Sequence, residues 1–443
     1  VTFVVATDSP GSPSPEDLPA VDIEVAFTSR PGDAPSWRSI ATGIVTSLHT
    51  DRGRDTELDD PRTGTCTVVA NNRNSWLTHW NTNSPWYGLI RPGLRMRVMP
   101  RWSGTPYPLL EGYLDGFPQA YGAGLDATVT LSAGDTFKRL ADIDLPASVY
   151  ELVVTVDQPT HWWKLDEETG VRSFDSGTAA PPVTSLDVGA VQRGASNGLP
   201  WDGGRKAPLF TSNNFIRFPA YAIAAQFSLE VWAATTDLVN VGTPWSMPGA
   251  PTFTGIVFNF GGAGNITVFE LGAPHVTVNR PAVMNGSLHQ LGVVIDTTGT
   301  YLYIDGALAG STASNDWFDA GGGTYQTALG NDSQNAVANA WAGTLSNLSQ
   351  YNGRSLTAAQ FFVHYHAGVD ALTGETTGSR VTRVLDFCQV PTVDRDVDAG
   401  DSTIGAHNLS GSALSYIQSL AKTEQGRCYV SASNKVTVRG RHN

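Results

Sequence analysis

The sequence predicts a mainly β protein built from more than one domain. Three observations carry that expectation. The 443-residue chain is rich in turn formers and poor in charge, with 46 glycines, 26 prolines and 16% charged residues. Several segments alternate apolar and polar residues with the two-residue period of a half-buried strand. Helical spacing is confined to a few short stretches. At this length two or three domains each have room for a core.

From the start, residues 2–6 form a short apolar arm, and the Pro/Ser-rich stretch 8–19 reads as an extended linker. Val21, Ile23, Val25 and Phe27 then alternate with Asp22, Glu24 and Ala26, a strand with one buried face. Further strands are expected at 39–48, 64–70, 94–102, 109–117 and 127–133. Gly134-Asp135 opens a short helix carrying Phe137, Leu140 and Ala141.

The densest signal lies at residues 289–306. Runs 291–295 and 301–304 flank a Thr/Gly turn, and the second run ends at Asp305-Gly306, a pair that supplies the positive φ angles of a tight reversal. In 227–232, Phe227, Leu229 and Val231 alternate with Ser228, Glu230 and Trp232, again one buried face. A helix over 357–362 is opened by a Thr-x-x-Gln capping box. Later helices are expected over 379–388, stopped by Pro391, and through Leu414, Ile417, Leu420 and Ala421, ending at Gly426. Strands 427–430 and 436–439 follow, joined at Ser433-Asn434.

The net charge of −13 argues against a nucleic-acid partner, which needs clustered Lys and Arg. No apolar run approaches the ~20 residues of a bilayer span, and no basic-then-apolar signal peptide is read at the start. Three cysteines are too few for a disulfide scaffold. Cys66 shares a strand face with Val68 and Ala70, Cys428 one with Val430, and Cys388 an apolar stripe with Val381, Val384 and Leu385. All three read as small buried hydrophobes, compatible with folding in a reducing cytoplasm.

The 289–306 pattern resembles the laminin-G-like, concanavalin A-like lectin sandwich. His161-Trp162-Trp163-Lys164-Leu165-Asp166-Glu167 is similar to that family's opening strand, Phe174-Asp175-Ser176-Gly177 to its Asp-Ser-Gly turn, and Phe227–Trp232 to its central strand. Ala328-Leu329-Gly330, Trp341-Ala342-Gly343-Thr344-Leu345 and Gln350-Tyr351-Asn352-Gly353-Arg354 resemble its closing strands.

The flanks resemble minor tail proteins of tailed bacteriophages. The motifs include Glu57-Leu58, Gly64-Thr65-Cys66-Thr67-Val68-Val69-Ala70, Ser84-Pro85-Trp86-Tyr87-Gly88, Gly112-Tyr113-Leu114-Asp115-Gly116, Asp135-Thr136-Phe137-Lys138-Arg139-Leu140 and Thr423-Glu424-Gln425-Gly426-Arg427. Cys66 and Asn71 depart from that pattern. His442-Asn443 is readable as a truncation or as a real end.

Together these resemblances imply a hub-type β-barrel domain with short helices, interrupted by a concanavalin A-like jelly-roll β-sandwich. The expected division is an arm and linker (1–19), a first hub part (20–150), the inserted sandwich (151–369) and a second hub part (370–443). The implied role is structural, in the distal tail of a virion made in the host cytoplasm. Its expected partners are itself as a homotrimeric ring, other tail-tip proteins, and host cell-wall or surface glycans contacted by the sandwich. The alternatives are a sandwich that only decorates or stiffens the tip, and a secreted bacterial glycan-binding or glycan-cleaving protein. The arm at 2–6 is a candidate to pair with a neighbour's edge strand.

No catalytic residue is expected. Glycoside hydrolysis needs two opposed carboxylates, and the Glu-x-Asp-x-x-Glu run of glucanases on this fold is absent. Glu230 has Ser228 and Trp232 as its same-face neighbours and Glu270 has Val268 and Gly272, so neither has a partner carboxylate, and Asp166-Glu167-Glu168 reads as a solvated acidic loop. His364 and His366 lie two apart on a helix, so they face different ways and read as capped or solvated rather than as metal ligands. His161 and His289 read as strand-edge residues. Gly261-Gly262-Ala263-Gly264 lacks the lysine of a phosphate loop and reads as a turn.

Calcium is the one cofactor the lectin resemblance implies. Asp175 is its candidate ligand, equally readable as a turn former, because Gly343-Thr344-Leu345-Ser346-Asn347 lacks the acidic pair usual there. For sugar, loop aromatics are the candidates: Trp201 beside Asp202, Trp245 and Trp317. Trp162, Trp163, Trp232 and Trp341 are assigned to the core.

Overall fold

The computed structural model describes residues 2–3, 20–30, 33–40, 44–53, 61–102, 105–122, 127–211, 214–235, 237, 239–247, 254–259, 264–279, 285–331 and 339–441. The rest of the arm, the 8–19 linker, Glu57-Leu58, residues 261–263 and His442-Asn443 lie outside them. Among the described residues the helices are α1 (Thr136–Ala141), α2 (Val149–Val156), α3 (Asp316–Asp319), α4 (Ala358–Val369), α5 (Thr377–Phe387) and α6 (Ala413–Thr423). None is long and apolar enough to cross a membrane. The chain forms two compact units: residues 1–145, 374–404 and 410–443 make the first, and 146–373 with 405–409 the second.

The first unit centres on an antiparallel sheet. Its strand path runs Thr2–Phe3, Val45–Gly53, Arg62–Asn71, Ala127–Gly134, Leu110–Gly116, Arg95–Trp102, Ala20–Val25, Arg38–Ser39. The alternation seen in sequence is what pairs it: Cys66 lies opposite Ala133, Val68 opposite Leu131 and Ala70 opposite Val129, and all six side chains are in the core. Among the described residues no pairing joins the two ends of the path into a closed barrel.

The C-terminal part belongs to this unit through buried polar contacts. Arg95 donates from Nε to Glu111 at 2.9 Å and from Nη1 to Asp394 at 3.1 Å, with all three groups buried. Asn434 Oδ1 accepts from both N and Oγ1 of Thr136, each at 2.9 Å. A short sheet pairs Val436–Arg439 in parallel with Arg395–Val397 and antiparallel with Arg427–Val430. α1 is capped by Asp135, which accepts from Phe137 N at 3.0 Å and Gly64 N at 2.7 Å. Burial pushes that carboxyl up to about 6 against the pull of those hydrogen bonds. None of the three cysteines is in a disulfide and all three are buried, and burial pushes the Cys66 and Cys388 thiols up to about 12.

The second unit is a jelly-roll-like sandwich. One sheet runs Gln192–Ser196, Lys206–Phe210, Gly343–Asn352, Phe227–Thr235, His289–Asp296, Gly299–Ile304, Ala307–Thr312, with His161–Trp163 added beside Gly343–Asn352. The other runs Leu186–Val188, Phe215–Arg217, Ala328–Leu329, Val241–Met247, Thr254–Asn259, Asn265–Glu270, Ala273–Asn279. Leu229, Val231, Leu291 and Val293 of the first meet Trp245, Ile256, Ile266 and Val268 of the second in one core. At Asp305-Gly306 both φ angles are positive, 52° and 76°, and the chain reverses there.

Two expectations need correction here. Strand Phe227–Thr235 is buried on both faces, not one, because Tyr150 of α2 and His364 and Tyr365 of α4 meet Glu230 and Trp232 on the side facing away from the core. Its neighbouring strand accommodates that cover through Gly292, where an added Cβ would lie 2.3 Å from the Phe361 ring. Secondly, the helix opened by the Thr357/Gln360 capping box continues to Val369 rather than stopping near residue 362.

Candidate glycan-contact site

The covered face of the first sandwich sheet holds a buried polar chain. Tyr150 on α2 donates its hydroxyl to Glu230 Oε1 at 2.6 Å, and His364 on α4 bonds Glu230 Oε2 through Nδ1 at 2.7 Å. The other ring nitrogen meets Asp157 Oδ2 at 2.9 Å, and Gln360 donates to Asp157 Oδ1 at 2.9 Å. Burial disfavours a charged imidazole, but the two carboxylates outweigh it and raise His364 to about 9. Burial likewise opposes charge on Asp157, yet the hydrogen bond from His364 leads the contacts that hold its pKa below the usual value. His364 is therefore a cation donating from both nitrogens to two carboxylates. The reading of His364 as capped or solvated is corrected: it is 0% exposed. His366 does face elsewhere, half-buried against Asp370.

Glu230 and Glu270 are both inaccessible. Glu270 accepts from Thr300 Oγ1 and from Trp317 N at 2.9 Å. The acidic loop is also paired rather than merely solvated: Asp166 binds Arg205, and Glu167 binds Arg193 at 3.1 Å.

Asp175 organises a turn. Its Oδ1 accepts from Trp162 N and Gly177 N, each at 2.9 Å, and its Oδ2 from Val183 N at 3.1 Å, with His161 Nδ1 at 2.6 Å. Burial opposes its charge, and the bonds from His161 and the three backbone amides overcome that and hold its pKa below the usual carboxylate value. These contacts occupy the lone pairs that a calcium ion would need. No group of three or more His, Cys, Asp or Glu side chains among the described residues is placed to hold a metal ion. The donor set does not fit calcium. His289 plays a similar local role, meeting Asp305 Oδ2 at 2.8 Å.

The three candidate aromatics separate. Trp245 sits on strand Val241–Met247 and Trp317 on α3, and both are core residues at 2% and 1% exposure; their assignment as loop aromatics is corrected. Trp317 also donates Nε1 to Ala224 O at 3.1 Å. Packing explains the difference: each indole plugs the sandwich interior around Phe227, at 6.2 Å and 6.1 Å between ring centroids.

Trp201 alone remains half-buried, in a turn whose Gly203 and Gly204 both have positive φ. Next to it Asp202 is buried and accepts from Asn197 at 2.5 Å, and burial raises its pKa. The same turn leads into Arg205, which pairs with Glu151 and Asp166, while Lys164 also pairs with Glu151. Sequence reasoning missed Glu151, Lys164 and Arg205 as a group, since the three come from separate segments. The Trp201 indole is the one of the three candidates with a partly exposed face, and a partly exposed ring can stack on a sugar.

Residues 210–361 match the Laminin_G_3 family, the concanavalin A-like lectin/glucanases superfamily. That segment is a concanavalin A-like domain. Several solved structures are similar to this chain at low identity. Domain 4 of AbnA, an extracellular arabinanase from Geobacillus stearothermophilus in complex with arabinotriose, is 17% identical over 47% of this chain and 98% of that one, with a TM-score of 0.35. The carbohydrate-binding module CBM40 of a Ruminococcus gnavus sialidase, bound to α2,3-sialyllactose, is 14% identical over 32% and 82%, with a TM-score of 0.27. A heptameric SAP-like pentraxin from Limulus polyphemus is 17% identical over 33% and 72%, with a TM-score of 0.28. Likenesses this weak carry no functional argument. A comparison with curated proteins finds no match.

Proposed function

We propose that the chain is a structural component of a bacteriophage tail tip, whose concanavalin A-like insert contacts host-surface glycans. The observation that carries this reading is the arrangement of the chain: a lectin-type domain is spliced into a β unit built from the segments on either side of it. The flanking segments hold the tail-protein motifs quoted above, in order. In this reading the first unit is the hub-type β domain and assembles with itself and with other tail-tip proteins. The insert binds, and the chain carries out no catalysis. Trp201, partly exposed in its turn, is the face offered to a sugar.

The test is binding of the full chain to a panel of purified bacterial cell-wall polysaccharides, by calorimetry. Saturable binding to one of them, weakened about fivefold by Trp201→Ala, supports the reading, since removing an aromatic stacking face costs on the order of 1 kcal/mol. A second reading, in which the sandwich is a spacer that binds nothing, is favoured by the burial of Trp245 and Trp317 and the saturated Asp175. Absence of binding from a folded chain selects it.

A further inference from the structure

The first unit contains a cleft of about 380 Å³, within the size range of small-molecule sites. Residues from segments 92–93, 113–115 and 134–142 line it, so strand Leu110–Gly116 and α1 supply facing walls. Two glycines shape those walls. An added Cβ at Gly112 would lie 2.4 Å from Gly134 O, so the two strands approach too closely for a side chain there. At Gly134 a Cβ would lie 2.6 Å from Lys138 Cδ, and the lysine stem crosses the strand where no side chain stands.

The charges on this cleft fall into two groups. Lys138 pairs with Asp115 at 2.7 Å, and buried Asp135 accepts from Phe137 N at 3.0 Å and Gly64 N at 2.7 Å. Those three are satisfied within the fold. Arg139 and Asp142 are different. The half-buried Arg139 guanidinium lies over the ring of Tyr113, 4.9 Å from its centroid, and that ring is itself buried. Asp142 ends α1 with an exposed side chain and a backbone N–H bonded to Lys138 O. Among the described residues neither Arg139 nor Asp142 has an ion pair or a side-chain hydrogen bond. A guanidinium held against an aromatic face keeps its forked N–H donors for a carboxylate. Three residues apart on a helix, the two opposite charges share one face, with Cβ atoms about 5–6 Å apart.

We propose that this cleft binds a small zwitterion of the α-amino acid type, with its carboxylate on Arg139 and its ammonium on Asp142. A ligand with only a negative charge leaves Asp142 unmatched and meets the carboxylates of Asp115 and Asp135 as well. One with only a positive charge faces Arg139 and Lys138. A molecule carrying both charges matches both unpaired groups. Only first-unit residues take part, so failure here and failure of the glycan reading are distinguishable.

The experiment is a ligand-observed NMR titration of the full chain with glycine, L-alanine, D-alanine, L-lysine and L-glutamate. At least one is expected to bind with a Kd of about 1 mM or tighter. N-acetyl-L-alanine lacks the ammonium and L-alanine amide the carboxylate, and each is expected to bind about tenfold more weakly than L-alanine, the factor a charged hydrogen bond supplies. Arg139→Gln and Asp142→Asn are each expected to weaken amino-acid binding about tenfold with an unchanged thermal transition. No binding of any of the five to the folded wild type overturns the proposal, and so does binding that survives both substitutions unchanged. Equal binding of N-acetyl-L-alanine and L-alanine would make the cleft a plain anion site and also overturn it.

Discussion

The two units use the same residue type in opposite ways. In the sandwich Trp162, Trp163, Trp232, Trp245, Trp317 and Trp341 are all buried to within 3% exposure, whereas in the first unit Trp76, Trp80 and Trp102 are more than half exposed. A sandwich between two sheets has an interior about 10 Å thick, which large rings fill well. The sheet of the first unit fills its core mainly with Val, Leu, Ile, Met and Ala; Trp86 packs against that core, while Trp76, Trp80 and Trp102 stand exposed on a loop and a hairpin. Tryptophan content is therefore no guide to where a ligand binds, and a lectin-type fold is no guarantee that its own aromatics do the binding.

The comparison breaks most visibly under truncation. Trp245→Ala should destabilise the second unit by about 3–5 kcal/mol, as expected for emptying a packed core site. Trp80→Ser in the first unit should change its stability by no more than about 0.5 kcal/mol. Calorimetric unfolding of the two variants reads both, and equal effects would erase the distinction.

The polar interior of the second unit sharpens it further. His364→Ala leaves Glu230 and Asp157 without their shared cation and should cost about 3 kcal/mol or more. The same cluster sets a pH dependence. His364 has a folded pKa near 9, above its unfolded value of about 6.5, so its contribution is fully present below about 6.5 and is lost as pH rises through about 9. Asp157 is lowered, so its contribution is present above about 3.9 and is lost as pH falls through its folded pKa. The melting temperature of the second unit should therefore fall between pH 7 and 10 in the wild type, and much less in His364→Ala. A smaller effect is expected at the Asp175 turn. Asp175→Ala unpairs three backbone amides and His161 at a cost of about 1–3 kcal/mol, while EDTA leaves the wild-type transition unmoved.

Local pattern made much of this legible. Strands Arg427–Val430 and Val436–Arg439 follow from alternation, the reversal at Asp305-Gly306 from the φ needs of the turn, and the start of α4 from its capping box. What stayed hidden depended on tertiary cover. α2 reads Val-Tyr-Glu-Leu-Val-Val-Thr-Val, β-branched and strand-like by propensity, yet it is a helix capped by Ser148, whose hydroxyl accepts from Glu151 N at 3.0 Å. Without that helix the second buried face of Phe227–Thr235 and the burial of His364 could not be read. Trp245 and Trp317 were misplaced for a related reason: glycine-rich surroundings resemble a loop until the opposite sheet is there to bury the ring.

The most direct test of the division between the two units is polysaccharide binding by the Trp76→Ser, Trp80→Ser, Tyr87→Ser variant beside Trp201→Ala. The account predicts that the triple variant keeps its affinity for a short oligosaccharide of the bound polysaccharide while Trp201→Ala loses about fivefold. The reverse pattern, with binding lost from the triple variant and kept by Trp201→Ala, would contradict it.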